Sequence, residues 1–224
     1  MNAGEEGREC VSLVHGFFAH SVMLGPLAHR LADLGYRAER FGYRDMRRSI
    51  LVHAERFADA LRRLDAAPDV ATIHLVTHSM GGIVARAALA GFRPRKLGRF
   101  VMLAPPNRGS YVANWLAGPF GRLFEPVAEL TTRTDSLVNT LSMPEGVEVG
   151  VIAAGKDALV APASTRPSVP HAFALLPCMH SSLLFRRDAA DLVARFLTTG
   201  TFEPMSGARQ ATRRPPAPDG RPRR

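Results

Sequence analysis

A three-layer α/β/α domain on about six mainly parallel strands is the fold that the 224-residue sequence predicts. Two features carry this expectation. Over residues 10–200, short apolar runs alternate with amphipathic stretches, the pattern of βα units in a parallel sheet. The composition, 46% hydrophobic and 22% charged, is that of an ordinary globular protein with one sizeable core.

Each element has its own local reason. Residues 10–14 read as a buried strand ending at His15-Gly16. Ser21 is placed to cap a helix through Leu34, with Gly35 as its stop. Residues 36–41 form a second strand. A helix over 49–64 puts Ile50, Phe57, Leu61 and Leu64 on one face, with Arg56, Arg62 and Arg63 largely opposite. Residues 71–76 are a third strand, and 81–89 a small-residue helix that stops near Gly91. The fourth strand, 99–103, runs into the breakers Pro105-Pro106-Asn107. Residues 147–153 and 172–176 are the fifth and sixth strands. Ser181 or Ser182 then caps a last helix reaching about Thr199. The segment 107–146, which holds the only tryptophan (Trp115), is too long for a plain connection and is expected to be an insertion with structure or function of its own.

The formal net charge of +9 is unevenly spread. Residues 205–224 carry six arginines against Asp219, a net +5, which leaves +4 for the body at 1–204. The Pro/Arg-rich tail is too polar to fold alone and is expected to be disordered. A weak contact with an anionic membrane surface is the functional reading of that tail, and a solvated end is the bland one. No nucleic-acid partner is expected. No apolar run approaches the roughly 20 residues of a spanning helix. Residues 1–10 are polar and acidic, unlike a secretory leader if they are the natural start. With two cysteines, Cys10 and Cys178, expected as free thiols, the compartment expected is the cytoplasm. The sequence contains no metal-ligand cluster, and no metal or organic cofactor is expected.

The chemistry-bearing stretches all follow expected strands. In Leu75-Val76-Thr77-His78-Ser79-Met80-Gly81-Gly82 a strand runs into a serine flanked by small residues, and a helix follows at once. Such a turn strains the serine backbone and lifts Oγ above the strand end. Gly81 and Gly82 allow neighbouring turns to approach, and the helix N-terminus supplies N–H groups where negative charge would develop. A plain strand–helix turn is the alternative. Leu13-Val14-His15-Gly16-Phe17-Phe18 comes at the end of the first strand, where an ordinary strand-end turn with a packed His15 is the plain reading. Asp157 stands in Gly155-Lys156-Asp157-Ala158-Leu159-Val160 after the fifth strand; the competing acids are Asp135 and Glu125 in the insertion. His180 lies between the sixth strand and the last helix. In a parallel sheet these strand ends share one edge, so Ser79, Asp157 and His180 are expected to meet there as nucleophile, orienting acid and general base.

These motifs resemble the α/β-hydrolase superfamily, and within it the bacterial lipases and esterases. The elbow is similar to the family's His-Ser-Met-Gly-Gly string, but Thr77 stands where the usual Gly-x-Ser-x-Gly has its first glycine. The Asp157 loop is similar to Gly-x-Asp-x-x-Val, and 103–110 to a Pro-Asn-x-Gly-Ser loop. The lack of a strand before residue 10 is similar to small lipases whose sheet is parallel throughout. The resemblance implies an α/β-hydrolase fold and cleavage of small-molecule or lipid esters through an acyl-enzyme on Ser79. It also implies an oxyanion hole from the backbone N–H groups of Phe17 and Met80. The apolar residues Trp115, Leu116, Phe120, Leu123 and Phe124 are either a short cap over an acyl pocket or plain packing. A same-fold acyltransferase, thioesterase or perhydrolase would keep every motif, and a binding protein that lost the chemistry is the contrasting class. The oligomeric state is not readable.

Overall fold

The computed structural model describes residues 7–17, 19–43, 48–120 and 125–204. The basic tail, Leu123 and Phe124 lie outside these residues.

Six strands lie side by side in the order β2-β1-β3-β4-β5-β6, and every neighbouring pair is parallel. They are β1 (Arg8–Val14), β2 (Arg37–Phe41), β3 (Val70–His78), β4 (Leu97–Leu103), β5 (Val149–Ala154) and β6 (Ala172–Leu176). The central strands are continuous apolar runs because both of their faces are covered. Alternate side chains leave a strand on opposite faces. Cys10, Val14, Ile73, Leu75, Phe100 and Met102 therefore pack with helices α2 (Ile50–Ala66) and α3 (Gly81–Gly91). Val11, Leu13, Val76, Val101, Leu103 and Ile152 pack with α1 (Gly25–Asp33) and α7 (Arg187–Thr199). This is the three-layer α/β/α architecture expected from the sequence.

The insertion after β4 carries α4 (Tyr111–Phe120), α5 (Glu125–Glu129) and α6 (Leu137–Thr140). It is fastened to the main body at both ends. Glu129 accepts hydrogen bonds from Ser49 Oγ (2.6 Å) and the Ile50 amide (2.7 Å), and so closes the N-terminus of α2. Arg86 of α3 donates to Asn107 Oδ1 and to the carbonyls of Val138 and Leu141.

Two helix starts differ from expectation. Ser21 opens a 3₁₀ turn (Ser21–Leu24) whose cap is His20, while α1 begins at Gly25. Pro26 explains the delay. It has no N–H to close an α-helical turn onto Val22 but fits the first turn of a helix that starts beside it. Ser181 and Ser182 likewise do not cap the last helix. They are consumed by the 3₁₀ turn His180–Leu184, and α7 starts later, after Arg186.

Candidate active site

The strand order places the site before any side chain is considered. From β1 the chain moves outward to β2, then returns across β1 to β3, so the direction of progression reverses between β1 and β3. Ligands of open parallel sheets bind at such a reversal, beyond the carboxyl ends of the strands. The two strand ends here are His15-Gly16-Phe17 and Thr77-His78-Ser79.

They touch so closely that only glycines fit. A Cβ on Gly16 would lie 2.8 Å from Ser79 Cβ, and one on Gly81 would lie 2.5 Å from the His15 carbonyl oxygen. Ser79 has φ +53°, the left-handed region that a non-glycine residue enters at a cost of order 1–3 kcal/mol. The strained turn is held by its own amide, which donates to the Leu103 carbonyl at 2.8 Å. Thr77, where the resembling family has glycine, is buried, and its Oγ1 has no hydrogen-bond partner among the described residues. Room for it comes from Gly82, whose missing Cβ would stand 3.3 Å from Thr77 Oγ1. Met80 is the N-cap residue of α3, so its N–H belongs to the helix-end amides without an intrahelical acceptor.

His180 and Asp157 meet. His180 Nδ1 lies 2.6 Å from Asp157 Oδ2, and the carboxylate side chain is fully buried. Its other oxygen accepts the amides of Leu159 (2.8 Å) and Val160 (2.9 Å). Burial works to raise the Asp157 pKa. The His180 hydrogen bond and the two amides outweigh burial and hold the carboxyl below its ordinary value. An ionised Asp157 accepts a hydrogen bond from His180 Nδ1–H, which leaves the lone pair on Nε2.

Ser79 and His180 line one cavity of about 370 Å³, together with Phe17 and the apolar side chains of Leu116, Val127 and Leu130 from the insertion. Among the described residues Ser79 Oγ makes no hydrogen bond, so the two residues share the cavity without a closed contact. Apo sites often tighten only around substrate. Of the acids that competed in the sequence, Asp135 pairs with Arg133 at the surface (2.9 Å), and Glu125 is exposed at the start of α5. Trp115 is 76% exposed and does not line the cavity, whereas Leu116 does. The side chain of Phe120 lies outside what the structure describes.

Two neighbours of the site were not assigned from sequence. His78 is buried, its Nε2 sits 3.3 Å from the His180 carbonyl oxygen, and the two rings are 4.7 Å apart. Burial first, and then the nearby His180, push its pKa down to about 3, so His78 is neutral. Its place beside the serine in the motif was the available signal. Tyr43, which packs on His15, follows β2 in no recognisable motif. Among the described residues, no group of three or more His, Cys, Asp or Glu could hold a metal ion. Cys10 and Cys178 are free and buried. No described helix is long and apolar enough to cross a membrane.

Comparison with known proteins agrees with this architecture. Residues 35–112, about a third of the chain, match the family described as "Alpha/beta hydrolase of unknown function (DUF900)". A Mycoplasma pneumoniae protein named "Putative esterase/lipase 3" is 28% identical over 109 residues. That match spans 46% of this chain and 39% of the relative's length. Among solved structures, the mature Bacillus licheniformis lipase BlEst2 superposes with a TM-score of 0.67 at 18% identity, over 87% of this chain and 93% of that one. Aspergillus fumigatus lipase B gives a TM-score of 0.67 at 18% identity, over 88% and 55%. The Legionella pneumophila phospholipase PlaB gives 0.62 at 18% identity, over 85% and 61%. The sheet order and these likenesses show that the chain has the α/β-hydrolase fold, and the proteins it resembles include lipases and esterases.

Proposed function

We propose that the protein hydrolyses carboxylic esters through an acyl-enzyme on Ser79. The observation that carries the reading is the His180–Asp157 pair, 2.6 Å apart, facing the cavity that Ser79 also lines. In this mechanism Ser79 Oγ attacks the ester carbonyl carbon while its proton passes to His180 Nε2. The carbonyl oxygen becomes an oxyanion that accepts hydrogen bonds from the Phe17 and Met80 amides. Collapse breaks the bond to the alcohol oxygen, which leaves with the proton from His180. Water then attacks the acyl-enzyme and gives its proton to His180. The second collapse releases the acid and returns that proton to Ser79. Asp157 stays ionised throughout and steadies the imidazolium.

The cavity wall supports an acyl rather than a charged substrate portion, since Leu116, Val127 and Leu130 offer it only apolar surface. Labelling with a fluorophosphonate tests the assignment. The parent protein is expected to label and to hydrolyse p-nitrophenyl esters, and Ser79→Ala to do neither. Equal labelling of both proteins would remove Ser79 from the role of nucleophile.

A further inference from the structure

Gly16 poses a mechanical problem. Ser79 stands so close that no side chain fits at Gly16, yet glycine is the residue with the loosest backbone. The next residue, Phe17, is the one whose N–H serves as an oxyanion donor in the reading above. A donor aimed at developing charge is worth most when its direction is fixed beforehand.

The structure holds Gly16 from both sides. The Tyr43 amide donates to His15 Nε2 at 3.1 Å. An amide can only donate, so Nε2 carries the ring's lone pair and the ring proton sits on Nδ1. That proton is donated to the Gly16 carbonyl oxygen at 2.8 Å. The Tyr43 hydroxyl donates to the His15 carbonyl oxygen at 2.6 Å. Both carbonyls that flank Gly16 are thus pinned. The Gly16–Phe17 peptide is planar and trans, so its N–H points away from its C=O, and holding Gly16 O sets the direction of Phe17 N–H. The rings of His15 and Tyr43 are buried and stacked with centroids 4.2 Å apart, and His53 stacks on the far face of Tyr43 at 4.4 Å. A packed stack of this kind has little freedom to rotate.

We propose that Tyr43 is a positioning residue, which acts through His15 to aim the Phe17 amide at the oxyanion. The proposal rests on the Ser79 esterase reading. Phe at 43 would keep the stack and the backbone donor and remove only the hydroxyl. Tyr43→Phe is expected to lower kcat about tenfold, a fraction of the hundredfold or more that loss of a whole oxyanion donor costs. KM should stay within about twofold, because a ground-state ester gains little from this amide. The inhibition constant of 1-butaneboronic acid, whose tetrahedral adduct on Ser79 presents an oxygen to the same amide, should rise by the same factor as kcat falls. His15→Gln, which removes the Nδ1 donor and leaves Tyr43 intact, should give the same split.

If the parent shows p-nitrophenyl butyrate hydrolysis that Ser79→Ala abolishes, the esterase reading stands independently of this test. Unchanged kcat and boronate inhibition in Tyr43→Phe would then overturn the positioning role alone. A fall in kcat without a change in boronate inhibition would overturn it too, since that is the result of a merely structural residue. Should Tyr43→Phe fail to fold, unchanged kcat in His15→Gln overturns the proposal. A parent without Ser79-dependent hydrolysis removes both readings together.

Discussion

Asp157 keeps a negative charge inside the protein because three donors surround it: the Nδ1–H of His180 and the amides of Leu159 and Val160. Asparagine at 157 can still accept the two amides through its oxygen, so the loop should survive. Its NH₂ group, however, would face His180 Nδ1 and favour the tautomer that carries the proton on Nε2, where a base needs its lone pair. Asp157→Asn is therefore predicted to lower kcat by about 10³–10⁴-fold with little change in KM or circular dichroism. Steady-state kinetics at neutral pH check this; a loss below tenfold would mean that Asp157 does not orient the base. That Ser79, Asp157 and His180 come together was legible in the sequence because each follows a strand end, and strand ends of one parallel sheet converge. Tyr43 was not legible, because its partner His15 lies beyond the end of a different strand, β1, and no local pattern links the two. Thr77 was legible as a misfit, but the space that accommodates it is supplied by Gly82, across the turn.

Among the elements, α3 joins the Ser79 turn to the insertion. Its sequence, GGIVARAALAG, is small and apolar except for Arg86, which is buried yet has no carboxylate partner among the described residues. It donates hydrogen bonds instead to the side-chain oxygen of Asn107 and the carbonyls of Val138 and Leu141. Burial pushes the guanidinium pKa down to about 10, so the charge persists at neutral pH. Arg86→Met would keep much of the volume but leave buried carbonyls of the insertion without donors. A loss of about 2–3 kcal/mol is expected, since each unsatisfied buried group costs roughly 1–3 kcal/mol. Urea unfolding would register it as a lower midpoint, and limited proteolysis as faster cleavage within 107–146. An unchanged midpoint would mean that Arg86 carries no anchoring role. A lone arginine in an otherwise apolar helix was a readable sign of special use, although its acceptors, about 20 to 55 residues onward, were not. The two helices start later than their capping residues suggest, each for its own local reason. The sequence marked good capping residues, but a proline in one case and the tight turn after His180 in the other moved the α-helical start beyond them.

At the scale of the molecule, a sheet buried on both faces brings titratable groups into the core along with the strand ends, and this makes stability depend on pH. His78, His15 and His74 all have pKa values lowered, in each case chiefly by burial, and His78 to about 3. In the unfolded chain a histidine titrates near 6.5. Below that pH the unfolded state binds protons that the folded state refuses, so the stability present above pH 6.5 declines as pH falls. For His78 the decline continues to about pH 3. The depressed Asp157 pKa acts lower on the scale: its contribution is present above the ordinary carboxylate value near 3.8 and is lost as pH falls through its lowered folded value. Between pH 6 and 4 the histidines therefore dominate, and one fully excluded proton is worth about 1.4 kcal/mol per pH unit. His78→Asn keeps a side-chain donor toward the His180 carbonyl and removes the titration. Urea unfolding at pH 7, 6 and 5 should give a parent whose stability falls with acid and a His78→Asn variant whose slope is shallower by about 1 kcal/mol per pH unit. The comparison of slopes is unaffected by whatever the substitution costs at neutral pH, because that cost shifts both ends of the line equally. Parallel slopes would show that His78 takes up its proton in the folded protein, and that the core beside Ser79 is open enough to water to hold a charge.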